Sequence, residues 1–304
     1  MQNTRCIRRL LSLAVALALL LTLGAAACAE ETPDAAVVET VTADDFTMDY
    51  IRFGHGENTL VILPGLSVQS VMGSADAVAD AYRSMTDEYT VYLFDRRKEL
   101  PESYAISEMA RDTAEAMEIL GLTQADLFGA SQGGMIAMEI AAENPALVRK
   151  LVLGSTAAQI EEEDFQTIES WIELAKAGDA EGLYLAFGEA LYPPELFALY
   201  HDALIAAAQT VTEEDLARFV ILAEGIRGFN CSGELEKIEC PVLVIGSMTD
   251  HVLGAEASFR IAELLSGRED AELFMYGAYG HASYDIAPDY KDRLLDFYAP
   301  EAAA

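Results

Sequence analysis

The feature of the sequence that most constrains the fold is an alternation, from Phe46 onward, between short apolar runs and longer segments with helical spacing. The short runs are rich in β-branched and aromatic residues, which is typical of strands. They cover residues 59–63, 90–95, 126–129, 151–154, 242–246 and 272–276. Because helical segments such as 106–120 separate most of them, the sequence predicts an α/β protein with a mostly parallel central sheet and helices on both faces.

Two segments depart from this alternation. Residues 46–63, "FTMDYIRFGHGENTLVIL", resemble a β-hairpin in which His-Gly-Glu-Asn forms the turn. Residues 161–229 contain no convincing strand and only helical segments, after which "CPVLVIG" resumes the sheet. The second departure predicts a helical cap at about residues 160–230, inserted between two strands of one domain.

The N-terminal residues read as a targeting signal rather than as part of the fold. Three arginines precede an apolar run over residues 10–23, and small residues follow it. We therefore predict a signal peptide over residues 1–29, a linker over 30–45, the folded domain over 46–298 and a tail over 299–304. The predicted location is secreted or extracytoplasmic.

The end of the signal leaves three interpretations open. Ala27-Cys28-Ala29 fits a signal-peptidase site, whereas residues 25–28 resemble a weak lipobox in which Cys28 would carry a lipid. The apolar stretch also approaches the length of an uncleaved membrane anchor. Contact with a membrane is expected only through such an anchor or lipid.

The charge of the chain excludes one class of partner. Without residues 1–29 the chain has 16 Lys and Arg against 51 Asp and Glu, a net charge of −35. Such a protein repels a phosphate backbone, so nucleic-acid binding is excluded as a main activity. Two cysteines remain outside the signal, Cys231 and Cys240, and in an oxidising compartment they either form a disulfide or stay free.

Ser131 is the candidate nucleophile. It stands in "DLFGASQGGMIAMEI", where a predicted strand ends and a helical pattern begins. A sharp elbow at that point strains the serine backbone and crowds the residues two before and two after it. Gly129 and Gly133 fit these positions because they lack a Cβ. The helix that follows directs its N-terminal amides toward developing negative charge.

A serine hydroxyl needs a base and an orienting acid. His281 follows the last predicted strand and Asp250 follows the strand before it, so both belong to the sheet edge that carries Ser131. We expect Asp250 to hold His281 in the tautomer that accepts the serine proton. The alternative acids are Glu161, Glu162 and Glu163, which are expected to be solvated. The other histidines, His55, His201 and His251, have less suitable positions.

On these residues, the chain from Phe46 to Tyr298 resembles an α/β-hydrolase of the capped, single-domain branch that includes esterases, lactonases and prolyl aminopeptidases. The order Ser131, Asp250, His281 is the order that this fold uses. The resemblance implies an oxyanion hole formed by the backbone amides of Gln132 and Leu66. It implies no metal and no organic cofactor.

The chain departs from that family pattern at two loops. Pro64-Gly65 stands where relatives often have His-Gly, so a different group must brace the oxyanion loop. After the next strand, "FDRRKELPESY" lacks the glycines common in relatives. Its basic residues, Arg96, Arg97 and Lys98, are expected to pair with surface acids, and the alternative is contact with a substrate carboxylate.

The predicted function is an exported serine hydrolase that cleaves a carboxylic ester or a similar small acyl substrate through an acyl-enzyme. Cap aromatics are candidates for the substrate pocket, although packing against the main domain is the alternative for most of them; they are Trp171, Tyr184, Phe187 and Tyr192. Aminopeptidase, carbon–carbon hydrolase, perhydrolase and acyltransferase chemistry share this framework and remain open. So does a surface binding module without activity.

Overall fold

One central sheet organises the chain. The computed structural model describes residues 35–300, and in that part of the chain the sheet has eight strands. They are β1 (Val37–Thr42), β2 (Thr47–Phe53), β3 (Asn58–Leu63), β4 (Tyr89–Arg97), β5 (Ala125–Ala130), β6 (Val148–Gly154), β7 (Val242–Ser247) and β8 (Ala271–Tyr276). Their order across the sheet is β1-β2-β4-β3-β5-β6-β7-β8. The six strands β3 to β8 run parallel to one another. Strand β2 is antiparallel to both of its neighbours, β1 and β4.

Helices connect and surround the strands. They are α1 (Ala75–Ala81), α2 (Ile106–Ile119), α3 (Gln132–Glu143), α4 (Gln166–Lys176), α5 (Ala180–Leu191), α6 (Pro194–Ala208), α7 (Glu213–Glu224), α8 (Ala255–Leu264), α9 (Ser283–Ile286) and α10 (Tyr290–Tyr298). Short 3-10 turns lie at Val71–Ser74, Arg83–Met85, Pro145–Leu147 and Leu235–Lys237. Helices α4 to α7 lie between β6 and β7 in the chain and form the cap. The predicted fold class is therefore confirmed.

The central strands explain why short apolar runs were so evident in the sequence. Every residue of β5 and of β7 is buried, as expected for parallel strands covered on both faces. Because each of these strands feeds a crossover helix, their carboxyl ends meet along one edge of the sheet. Ser131 follows β5, and the loops after β7 and β8 carry Asp250 and His281 to the same edge.

The predicted hairpin over residues 46–63 is wrong. Strand β4 lies between β2 and β3, so β2 pairs antiparallel with β4 and β3 pairs parallel with it. The connecting residues bond to the segment before β4 instead of closing a turn, since His55 N donates to Thr86 O and Asn58 N donates to Glu88 O, both at 3.1 Å. The alternation of side chains identified two strands here, but it carries no information about their partners.

Strand β1 occupies part of the stretch for which the sequence predicted only a linker. It is an edge strand with one buried residue, Val41, while Val37 and Val38 are exposed. Because most of its residues are not buried, β1 does not stand out in the sequence as an apolar run. Its partner β2 holds it through a regular register and an ion pair between Arg52 Nε and Glu39 Oε2 at 2.9 Å.

The predicted signal peptide and Cys28 lie outside the described residues, as do residues 301–304 of the predicted tail. Within residues 35–300, no helix is long and apolar enough to cross a membrane. Cys231 and Cys240 are free thiols rather than a disulfide. Burial raises the pKa of Cys231 to about 12 and that of Cys240 to about 11, which keeps both thiols protonated at neutral pH.

Candidate active site

Ser131 stands at a strained turn between β5 and α3. Its backbone angles are φ 52° and ψ −121°, which an L-residue adopts only when the surrounding structure holds it there. The Ser131 N–H donates to Gly154 O at 2.8 Å, and the Ser131 carbonyl accepts from Thr156 Oγ1 at 2.7 Å. Bonds to the end of β6 therefore fix the backbone of this serine on both sides.

The glycines beside Ser131 are required by close backbone approach. A Cβ on Gly129 would lie 2.7 Å from the Cα of Gly134, and a Cβ on Gly133 would overlap the carbonyl oxygen of Leu63. Real Cβ atoms do not reach such distances without a shift of the backbone. The two glycines thus allow α3 to start directly against β3 and β5, with Ser131 at its N-terminus.

Asp250 and His281 form a buried pair. His281 Nδ1 and Asp250 Oδ2 are 2.8 Å apart, and the two side chains are 2% and 3% exposed. The other oxygen, Asp250 Oδ1, accepts from Val252 N at 2.8 Å and from Leu253 N at 3.1 Å. Burial raises the pKa of Asp250, but the His281 charge, its hydrogen bond and the two amides outweigh burial and hold that pKa below its usual value.

The alternative bases and acids have surface positions. His55, His201 and His251 are exposed, and the first two lie near the surface acids Asp87 and Asp202. Glu161, Glu162 and Glu163 are exposed at the entry to the cap. Within residues 35–300, His281 is the one histidine that is buried beside a buried carboxylate.

Ser131 and His281 line the same small cavity, together with Leu66, Trp171 and Tyr284. Its volume is about 20 Å³, which is room for about one water molecule. No hydrogen bond within residues 35–300 joins Ser131 Oγ to His281. Such bonds are often long in the absence of substrate, and they shorten when substrate binds.

Of the two predicted oxyanion donors, Leu66 lines this cavity, and Gln132 directly follows Ser131 in the chain. A Cβ on Gly65 would lie 3.7 Å from Ser131 Oγ, so the loop that carries Leu66 runs directly past the hydroxyl. Gln132 is the first residue of α3. The backbone N–H groups of Leu66 and Gln132 have no acceptor in the described part of the chain, which leaves both of them available to a ligand.

Arg96 is buried, contrary to its predicted place in a surface ion pair. It is 3% exposed, and its Nη2 donates to Pro64 O at 2.8 Å and to Gln132 Oε1 at 3.2 Å. Burial lowers the pKa of Arg96 to about 10, while the neighbouring Asp95 charge opposes this effect. The guanidinium therefore ties the loop that carries Leu66 to the start of α3. No sequence motif signals this role.

The other two basic residues of that segment do pair with acids. Lys98 Nζ contacts Asp49 Oδ1 at 2.8 Å, and Arg97 Nη1 contacts Asp112 Oδ2 at 3.3 Å. The Asp112 carboxylate is itself buried. Neither Arg97 nor Lys98 lines the small cavity that contains Ser131.

The cap is joined to the same network. Asp95 accepts from Ser70 Oγ and from Arg218 Nη2 of α7, the latter at 2.8 Å. Gln132 Nε2 donates to Leu222 O of α7 at 2.7 Å. On the opposite side, Ala282 N donates to Leu191 O at the end of α5, at 3.1 Å. The cap therefore contacts both the elbow and the loop that carries His281.

A larger cavity of about 280 Å³ adjoins the small one, and Leu66, Phe187, Leu191 and Tyr284 line both. All four predicted cap aromatics reach one of these cavities. Trp171 lines the small cavity, Tyr184 and Tyr192 line the larger one, and Phe187 lines both. These residues also pack against each other, since the ring centroids of Trp171 and Phe187 are 4.5 Å apart.

Replacing Arg96 with Met should lower kcat by about tenfold to a hundredfold and leave KM nearly unchanged. Loss of one oxyanion donor costs about 10²–10³ in rate, and loss of its brace should cost somewhat less. The control is Lys98→Met, which removes a surface cation two residues away. Initial rates with a chromogenic ester provide the measurement. Equal kcat values for the two variants would show that Arg96 does not position the site.

Comparison with known proteins agrees with this geometry. The model of the alpha/beta hydrolase fold family matches residues 58–288. The chain is 26% identical over 248 residues to a putative carbamate hydrolase RutD of Rhizobium rhizogenes, covering 79% of this chain and 92% of that protein. It is 25% identical over 219 residues to the serine hydrolase BPHL of Mus musculus, covering 69% of each.

A solved structure shares the fold over nearly its whole length. It is MGS-M2, an alpha/beta hydrolase enzyme from a Medee basin deep-sea metagenome library. The TM-score is 0.77 at 22% sequence identity, and the match covers 88% of this chain and 99% of that chain.

Proposed function

The chain belongs to the alpha/beta hydrolase fold family, and from that premise we propose that it is a serine hydrolase that cleaves carboxylic esters through an acyl-enzyme. One observation carries the proposal. His281 lines the cavity that also contains Ser131, and its Nδ1 lies 2.8 Å from Oδ2 of the buried Asp250. A buried carboxylate beside a buried imidazole is costly unless the two are hydrogen-bonded, so the pair favours a functional role.

In the proposed reaction, Ser131 Oγ attacks the carbonyl carbon while His281 Nε2 takes the hydroxyl proton. Asp250 accepts a hydrogen bond from His281 Nδ1 and stabilises the imidazolium that forms. The amides of Leu66 and Gln132 donate to the oxyanion. His281 then gives its proton to the leaving alcohol, and the same groups direct water onto the acyl-enzyme to release the acid.

The volume of the cavities limits the substrate. The space beside Ser131 holds about one water molecule, so the rest of the substrate must extend into the larger cavity of about 280 Å³. That volume is at the lower end of ligand pockets. Small esters with short or medium chains fit it best.

A second candidate is hydrolysis of a carbamate or an amide. The name of the relative from Rhizobium rhizogenes, a putative carbamate hydrolase, favours it. The same nucleophile, base and oxyanion donors serve these reactions. A carbamate differs from an ester of the same alcohol in its acyl group, and an amide differs in the leaving group that His281 protonates. Rates with an ester and with the carbamate of the same alcohol distinguish the two.

A fluorophosphonate probe should label the protein at Ser131 and nowhere else. This reagent reacts with a serine only when a base and an oxyanion hole activate the hydroxyl. Mass spectrometry of the labelled peptide identifies the site, and a panel of p-nitrophenyl esters of increasing chain length measures turnover. Failure to label, together with no turnover of any ester, would favour a binding module without activity.

A further inference from the structure

One carboxylate among residues 35–300 lines the larger cavity. It is Asp285 of α9, four residues after His281, and Gln69, Tyr184 and Leu204 line the same cavity. Its Oδ1 atom is occluded, the residue as a whole is partly exposed, and neither carboxylate oxygen accepts a hydrogen bond from a group within residues 35–300. Leaving a carboxylate without a donor is costly, so such a group at a ligand cavity indicates a donor that arrives with the ligand.

Within residues 35–300, no cation lies within ion-pair distance of this carboxylate. The charge of Lys291 acts on Asp285, but the Lys291 ammonium donates to Tyr284 O and lies 4.9 Å from the centroid of the Tyr82 ring. Burial lowers the pKa of Lys291, while Asp285 opposes that effect. The Lys291 ammonium is thus held by a carbonyl and a ring rather than by a carboxylate bond.

The other groups that interact with Asp285 are His281 and five tyrosines, Tyr82, Tyr192, Tyr200, Tyr284 and Tyr290. Burial raises the pKa of Asp285 to about 6, against the opposing charges of Lys291 and His281. The carboxylate is therefore largely ionised at pH 7 to 8. Tyr192 and Tyr284 line the cavity beside it, and their rings can also attract a cation.

We propose that Asp285 is a specificity-determining residue that binds an ammonium group on the substrate, in the part that lies in the larger cavity. This inference rests on the proposed hydrolase function, because it names the class of ester that the site takes. The excess of acids, 51 against 19 basic residues, also attracts cationic molecules to this protein.

Two pairs of isosteric esters test the proposal. On the acyl side, the p-nitrophenyl ester of ε-aminohexanoic acid is compared with p-nitrophenyl heptanoate. On the alcohol side, S-(2-dimethylaminoethyl) thiobutyrate, whose protonated amine carries an N–H donor, is compared with its uncharged isostere S-(3-methylbutyl) thiobutyrate, and the released thiol is measured. In at least one pair, the charged ester should have a kcat/KM about tenfold to a hundredfold higher, mainly through KM, because a hydrogen bond or ion pair to a buried charge has that value.

Asp285→Asn should reduce this preference to about one, and the exposed Asp292→Asn should keep it. Asn fits the same space and removes an unpaired buried charge, so the variant is expected to fold. A ratio near one in wild type for both pairs would overturn the proposal. An Asp285→Asn variant in which both esters slow equally would also overturn it, because that result indicates an effect on His281 alone.

A binding measurement separates this proposal from the proposed function. Pentylammonium should raise the Tm of wild type more than pentanol does, and this difference should disappear in Asp285→Asn. If no ester is hydrolysed but the difference is present, the hydrolase proposal fails while the cation site stands. If esters are hydrolysed but amine and alcohol have equal effects, the cation site fails alone.

Discussion

Replacement of Ser131 by Ala should lower kcat for the best ester by about 10⁶-fold. In serine hydrolases the loss of the nucleophile costs about as much as the loss of all three triad residues together, because the groups act as one unit. Ala keeps the Cβ of residue 131, and its backbone keeps the hydrogen bonds to Gly154 O and Thr156 Oγ1. The variant should therefore fold with a Tm close to that of wild type.

The remaining rate of Ser131→Ala distinguishes chemistry from binding. The oxyanion amides are backbone groups, so the variant should still bind a non-hydrolysed acid product with nearly unchanged affinity. Ser107→Ala, an exposed serine on α2, is the matched control and should retain full turnover and labelling. If Ser131→Ala turns over esters at the wild-type rate, Ser131 is not the nucleophile and the mechanism must be abandoned.

The convergence of Ser131, Asp250 and His281 on one edge could be predicted because each follows the end of a parallel strand. In a parallel sheet, chain direction alone determines at which edge these strand ends meet. The predicted strands were recognisable because β5 and β7 are buried along their whole length. For the same reason β1 was missed, since five of its six residues are not buried.

The roles of Arg96 and Asp285 could not be predicted, because a charged side chain in a sequence gives no sign of whether it is buried. Arg96 belongs to a run of three basic residues, and the other two pair with acids. Only the tertiary structure places Pro64 and Gln132 within reach of its guanidinium. Asp285 stands near the predicted base, but its environment depends on cap residues more than eighty positions earlier in the chain.

The strand partners of β2 could not be predicted from the sequence either. Residue spacing identifies a strand and the faces it presents, whereas its partners depend on which other strand buries the same surface. In this chain β4 separates β2 from β3, so a connection of four residues joins strands that are not neighbours. The same uncertainty does not affect the strand ends after β5, β7 and β8, which is why the candidate site was easier to predict than the sheet edge.

Asp250→Asn should lower kcat by about 10⁴-fold while KM changes little. The Asn side chain can keep its carbonyl oxygen near Val252 N and Leu253 N, and its amide group then faces His281 Nδ1. An amide donor favours the tautomer in which Nδ1 is the acceptor and Nε2 carries the proton. Nε2 can then no longer accept the proton of Ser131, which accounts for a loss of that size.

A control and a pH dependence make this result specific. Glu163→Gln removes a carboxylate from the exposed cap entry and should leave kcat unchanged. Because the folded pKa of Asp250 is lowered, its ionised form stabilises the fold at neutral pH, and this contribution is lost as the pH falls through that pKa, below 3.8. The difference in unfolding free energy between wild type and Asp250→Asn should therefore shrink in acid. If Asp250→Asn keeps more than a tenth of the wild-type kcat, another group orients His281 and the proposed role of this carboxylate is wrong.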